Sequence, residues 1–178
     1  MKITKNVLFK NDLKEFLNLI NSDNFPWYYN DKTAHIKSNI NSKHTYEAPQ
    51  MTHKLIHNGE INSDWLKVMS PILDNIYKDV DINGIIRMKF NLLFPYKYKK
   101  NEKHCTPHID NEEYKGNRIL LFYPEDCDCY TYFFKNKKVW KKVKVTGNTL
   151  IDFDGKIYHA GSHPVKNTKK IVLNINYM

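Results

Sequence analysis

The sequence predicts a mainly β protein with flanking helices (α+β), its strands laid out as a double-sheet jelly roll or barrel. Two observations carry most of the prediction. The hydrophobic period changes to two at residue 85, where Ile86, Met88, Phe90 and Leu92 alternate with Arg87, Lys89 and Asn91. From there eight short β-type runs follow one another, roughly 85–92, 104–111, 118–123, 129–134, 138–145, 149–153, 156–160 and 169–177. Turn clusters such as Lys135-Asn136-Lys137, Thr146-Gly147-Asn148 and Asp154-Gly155 separate them, the spacing of an antiparallel two-sheet fold. A third observation supplies the helices: two stretches upstream of residue 85 repeat apolar residues at three and four.

Taken in order, residues 3–9 read as a short strand. Asn11 or Asp12 then offers an N-cap ahead of Leu13, Phe16, Leu17 and Ile20, an amphipathic helix that stops at Asn21-Ser22-Asp23-Asn24. Phe25-Pro26-Trp27-Tyr28-Tyr29 is an aromatic knot suited to packing between helix and sheet, or to lining a site mouth. Residues 30–62 are polar with weak periodicity and read as a long loop of the kind that serves as a lid or binding segment. Their histidines, His35, His44, His53 and His57, lack ligand spacing. Ser63-Asp64 caps a second helix, about 64–78, with Trp65, Leu66, Met69, Ile72, Leu73, Ile76 and Tyr77 on its apolar side and Pro71 placed to kink it.

A chain of 178 residues is the length of one domain, here divided into helical and loop support over 1–84 and a β core over 85–178. No apolar run reaches the roughly 20 residues that span a bilayer, and the first residues show no secretory h-region, so a cytoplasmic setting is expected. Cys105, Cys127 and Cys129 are then expected as reduced thiols. The net charge of +9 invites a nucleic-acid partner, but 26 of the 28 basic residues are Lys, and base readers favour the bidentate fork of Arg. A generic basic surface is the preferred reading.

The chemistry gathers at His108-Ile109-Asp110. Side chains alternate across a strand, so His108 and Asp110 point to one face. With a histidine from a later strand they make a two-His, one-carboxylate set with open positions, the arrangement that selects non-heme Fe(II) for oxygen chemistry. His159, in the run after Asp154-Gly155, is the favoured third ligand; His163, among Gly161, Ser162 and Pro164, is the competitor. The last run, 169–177, has one face of Ile171, Leu173, Ile175 and Tyr177 and another of Lys170, Val172, Asn174 and Asn176. A cation and two amides on a buried-looking strand need partners. A bound dicarboxylate would supply one for Lys170, with Asn174 and Asn176 lining the pocket. Lys169, of opposite parity, is the alternative cation.

The segments Thr106-Pro107-His108-Ile109-Asp110-Asn111, Asn148 through Gly155, His159-Ala160-Gly161 and the closing strand resemble the 2-oxoglutarate- and Fe(II)-dependent oxygenase superfamily. The likeness is greatest to its small prolyl-hydroxylase-like members, particularly those of bacteriophages. The resemblance implies a double-stranded β-helix (jelly roll) with N-terminal helices packed on one sheet, and a virus-encoded origin becomes an expectation. It implies His108, Asp110 and His159 as iron ligands and Lys170 as partner of the 2-oxoglutarate C5 carboxylate, with Tyr123 hydrogen-bonded to the same group. Fe(II), 2-oxoglutarate and O2 are the implied cofactor and co-substrates. The implied reaction is hydroxylation of a protein or peptide side chain of prolyl type, with 2-oxoglutarate decarboxylated to succinate and CO2. Nucleic acid is a less favoured substrate. The alternative reading is a metal-binding, cupin-like jelly roll without catalysis.

Overall fold

The structure is a computed structural model, and residues 1–32, 45–111 and 113–178 are described. His35, His44 and much of the first half of the 30–62 segment lie outside the described residues.

Two antiparallel sheets form the core. The larger runs in the spatial order β1 (Lys2–Lys5), β11 (Thr149–Asp154), β8 (Arg118–Tyr123), β13 (Lys170–Tyr177), β6 (Ile85–Leu93), β4 (Gln50–His57) and β2 (Tyr28–Asn30), with β5 (Glu60–Ile61) hairpinned onto β4. The smaller sheet is β10 (Lys138–Lys144), β9 (Tyr130–Lys135) and β12 (His159–Gly161), extended by a single bridge from β12 to His108. After β6 the chain passes back and forth between the two sheets, which is jelly-roll connectivity. A short parallel pair, β3 (Thr45–Tyr46) with β7 (His104–Cys105), forms a ladder of its own, with His104 packed on Tyr132 and Phe134 of the smaller sheet.

The larger sheet is buried on both faces. Its outer face carries α1 (Lys10–Ile20) and α2 (Trp65–Ile76), whose Phe16, Ile20, Met69 and Leu73 pack with Phe90, Phe122 and Leu173 of the sheet. Its inner face meets the smaller sheet through Ile119, Leu121, Phe133, Ile151 and Phe153. Burial on both faces explains the near-continuous apolar spelling of β13 and β8. It also places the helices and the inter-sheet space on opposite sides of one sheet.

Local chemistry sets several boundaries differently from expectation. The first strand ends at Lys5, not residue 9. Helix α1 begins at Lys10 behind an extended Phe9 with no side-chain cap, so Asn11 and Asp12 lie inside the helix. At α2 the capping acceptor is the Ser63 hydroxyl, taking the Trp65 N–H at 3.2 Å. Pro71 stays inside α2. The carbonyl its missing N–H leaves free, that of Lys67, accepts from the Ser70 hydroxyl at 3.0 Å instead. The 30–62 segment is not all loop. It holds the eight-residue β4, whose register against β6 slips between Lys54 and Ile56, a β-bulge at Leu55. The expected strand 104–111 contracts to His104–Cys105 and the isolated bridge at His108, because Pro107 has no N–H for a ladder. Cys127 and Cys129 are joined as a disulfide, against the expectation of reduced thiols; Cys105 is outside that pair and buried. The β9–β10 hairpin turns on Asn136 and Lys137, both at positive φ as a two-residue turn of this hand requires. No described helix is long and apolar enough to cross a membrane.

Candidate metal and co-substrate site

His108 and His159 are brought together by the backbone. Each donates its N–H to the other's carbonyl at 3.0 Å, the one bridge that joins the 104–111 segment to β12. The two rings lie 4.7 Å apart between centroids. Asp110, two residues on, turns back to the same point: its carboxylate is 3.6 Å from His108 Nε2 and 3.9 Å from His159 Nε2. One ligand atom from each of the three residues lies within 4.8 Å of the others, so the group could hold a metal ion.

The protonation pattern suits that use. His108 Nδ1 faces the Thr106 carbonyl at 3.0 Å and His159 Nδ1 faces the Ile157 carbonyl at 3.2 Å. A carbonyl can only accept, so both Nδ1 atoms carry a proton, and the Nε2 of each ring faces Asp110 and the shared space. Burial, with His108 alongside, lowers His159 to about 4, which keeps it neutral and able to ligate. Burial by itself would raise the Asp110 carboxyl. Arg87, His108, His159 and Lys89 more than offset it and hold Asp110 well below the usual carboxylate range. Asn174 donates to Asp110 Oδ2 at 2.7 Å and fixes its orientation. The chemistry of this donor set fits a divalent first-row metal such as Fe(II) with open positions.

These residues open onto a cavity of about 370 Å³ between the sheets and the β4–β6 wall. Lys170 lines it from β13, only 4% exposed, with its ammonium 3.2 Å from the Ser162 carbonyl and 5.7 Å from the centre of the Tyr123 ring. Among the described residues it has no ion-pair partner, and burial brings it down to about 8. Tyr123 lines the same end, its hydroxyl bonded to Thr131, with Leu93, Leu121 and Val172 as apolar walls. Lys169 points the other way and bonds Asn21 at the surface.

One sequence expectation shifts. Asn176 does not line the cavity. It is fully buried beside Asn174, donating its amide to Asn174 Oδ1, and so supports the residue that supports Asp110. His163, the competitor to His159, is not part of the ligand group; its Nδ1 bonds the Phe94 carbonyl at 2.9 Å within a cluster of Tyr46, Tyr96 and Tyr98. That cluster turns the rings of Tyr96 and Tyr98 inward. The 25–29 knot is divided: Phe25 packs on Trp27, His53, Trp65 and Phe90, while Tyr28 and Tyr29 stand exposed on β2, next to Asn30 at the cavity.

Sequence reasoning missed Arg87, Lys89 and Lys54, which line the cavity from β6 and β4. Arg87 places a guanidinium nitrogen 2.7 Å from Asp110 Oδ2, close enough for an ion pair but not aligned as a hydrogen bond. Their signal was present: Arg87, Lys89 and Asn91 form a polar face on a buried strand, as Lys170, Asn174 and Asn176 do on β13.

No family model and no curated protein matches the sequence. Solved structures do. An oxidoreductase of the 2OG-Fe(II) oxygenase family from Burkholderia pseudomallei aligns over 98% of this chain and 82% of its own, with a TM-score of 0.66 at 11% identity. A prolyl hydroxylase from Trichoplax adhaerens, in complex with a hypoxia inducible factor oxygen degradation domain peptide fragment, aligns over 99% and 82% with a TM-score of 0.61 at 16% identity. The epimerase SnoN in complex with Fe3+, alpha ketoglutarate and nogalamycin RO aligns over 99% and 77% with a TM-score of 0.60 at 10% identity. The chain therefore has the jelly-roll fold shared by 2-oxoglutarate- and Fe(II)-dependent oxygenases.

Proposed function

We propose that the protein is a 2-oxoglutarate- and Fe(II)-dependent dioxygenase that hydroxylates a side chain, of prolyl type, in a protein or peptide. One observation carries the reading. Among the described residues, a three-residue ligand group and a buried lysine without an acidic partner line the same cavity. A ligand that bridges them must offer metal-binding oxygens at one end and a carboxylate at the other, which describes 2-oxoglutarate.

In this reading His108, Asp110 and His159 would hold the iron. Fe(II) with 2-oxoglutarate and O2 supplies the oxidising power for C–H hydroxylation, the oxo acid leaving as succinate and CO2. Lys170 binds the far carboxylate as a charge-assisted pair, and the Tyr123–Thr131 hydroxyl pair offers it a neutral hydrogen bond. Asn174 and Arg87 hold Asp110, and the Nδ1 bonds hold both imidazoles, so the ligand atoms are oriented before a metal arrives. Leu93, Leu121 and Val172 keep water from the co-substrate's methylene carbons. A peptide substrate is supported by the exposed Tyr28 and Tyr29 beside the cavity and by the peptide bound in the Trichoplax adhaerens enzyme.

The test is conversion of 2-oxoglutarate to succinate with added Fe(II) under air, together with a screen of peptides for products heavier by one oxygen. Turnover that depends on Fe(II) and is lost in His108→Ala supports the reading. Full turnover in His108→Ala sinks the site, and metal uptake without any turnover leaves a non-catalytic metal-binding jelly roll. An oxidised oligonucleotide in place of a peptide overturns the substrate class.

A further inference from the structure

The β4–β6 wall carries charge that the oxygenase reading leaves unused. Lys54 stands directly opposite Lys89 across the strand pair, and Arg87 lies two residues from Lys89 on the same face. Like charges directly opposite one another destabilise a sheet. Neither ammonium makes an ion pair or hydrogen bond among the described residues. Burial, with Arg87 adding to it, brings Lys89 down to about 8. A cationic row of this kind weakens the apoprotein and needs a ligand to account for it.

The charge balance points the same way. Fe(II), the Asp110 carboxylate, the two carboxylates of 2-oxoglutarate and the Lys170 ammonium together sum to zero. Arg87 is taken up by Asp110, so Lys54 and Lys89 remain, with Glu113 the one other acid in the described lining. The loaded cavity thus keeps a surplus of positive charge next to the metal ligands, on the side away from Lys170.

We infer that the primary substrate presents a carboxylate to Lys54 and Lys89, close to the carbon that is oxidised: the substrate is a carboxylate-bearing amino-acid unit. The inference rests on the oxygenase reading and names the substrate class within it. A carboxylate fits better than a nucleotide phosphate on size. The cavity of about 370 Å³ is at the small end for ligand pockets and must also take 2-oxoglutarate, which favours a compact side chain over a nucleotide. Thr52 and Asn91, paired across the same two strands, continue this face with groups that bond main-chain amides. The carboxylate has two possible sources, an acidic residue beside the oxidised one in a peptide, or the α-carboxylate of a free amino acid.

The experiment uses the full chain loaded with Mn(II), which does not turn over, and 2-oxoglutarate. Fluorescein-labelled prolyl peptides carrying Asp, Asn or Lys next to the proline are titrated and followed by anisotropy, with free L-aspartate, free L-proline and a 5′-phosphorylated dinucleotide as competitors. The Asp peptide is expected to bind about tenfold more tightly than the Asn peptide, the scale of one close charge pair. K89Q and K54Q each remove most of that preference, and K54E/K89E reverses it toward the Lys peptide. Displacement by a free amino acid at concentrations well below those of the peptide assigns the α-carboxylate; its failure assigns the acidic side chain. Equal binding of Asp and Asn peptides, an undiminished preference in K89Q, or displacement by the dinucleotide alone overturns the inference. Loading of Mn(II) and 2-oxoglutarate is measured in the same samples. Its absence removes the oxygenase reading, while the Asp-to-Asn ratio still reports on the cationic wall.

Discussion

Lys170 sets stability against function. Burial holds its pKa at about 8, below the roughly 10.4 of an unfolded chain. Between those values the unfolded state binds more protons, so stability rises with pH across that window. Below pH 8 the full penalty of the uncompensated ammonium is present. Lys170→Met should therefore stabilise the metal-free protein by about 2 kcal/mol, or roughly 5 °C in Tm, while abolishing 2-oxoglutarate binding. A thermal melt beside a binding titration checks both, and a lower Tm would contradict the account. In the wild type, 2-oxoglutarate affinity should be flat below about pH 7.5 and weaken about tenfold per pH unit above 8, because the carboxylate needs the charged form. Asn174 acts through Asp110: Asn174→Leu removes the 2.7 Å bond that orients the ligand carboxylate and should weaken Mn(II) binding about 10- to 100-fold by direct titration.

Among the elements, β13 is the keystone, central in the larger sheet and buried over seven of its eight residues. Its Leu173 is completely buried among core residues that include Phe90 and Phe122, and Leu173→Ala should cost about 3 kcal/mol, read as a lower midpoint in chemical denaturation. Strands β6, β8, β11 and β13 were legible in the sequence nearly to the residue, because a clear period or an apolar run between turn clusters marks each of them. Strand β4 was not. It is buried on both sides and its bulge breaks the alternation, so its pattern matches neither strand template. The run around His108 was read too long, since residue types alone did not weigh the donor that Pro107 lacks against the rest of the run. The grouping of His108, Asp110 and His159, and the turn of Lys170 toward the cavity, were legible from parity and spacing. Arg87, Lys89 and Lys54 were not identified as cavity residues, because Arg87 and Lys89 served only as the polar half of an alternation. The polar half of a strand faces water only if that side of its sheet is open, and here it faces a cavity.

At the scale of the whole molecule, one sheet divides the labour. The helices seal its outer face with aromatic and aliphatic packing, and the inner face carries the polar groups. Ligands bound there add to stability without disturbing the outer layer. Saturation with Mn(II) and 2-oxoglutarate at about a hundred times Kd should raise stability by about 2.7 kcal/mol and Tm by roughly 5–10 °C, checked by melting with and without each component. Both β2, through Asn30, and the bulged strand β4 contribute to the cavity lining. The bulge at Leu55 bears directly on that lining. By adding one residue it brings His57 into register with Arg87, where an unbroken strand would have put Ile56. Strand length, as much as side-chain identity, thereby decides which residues face an incoming substrate. A descendant of this chain could change its choice of molecule by losing or gaining a single codon, in one step, with the metal ligands untouched.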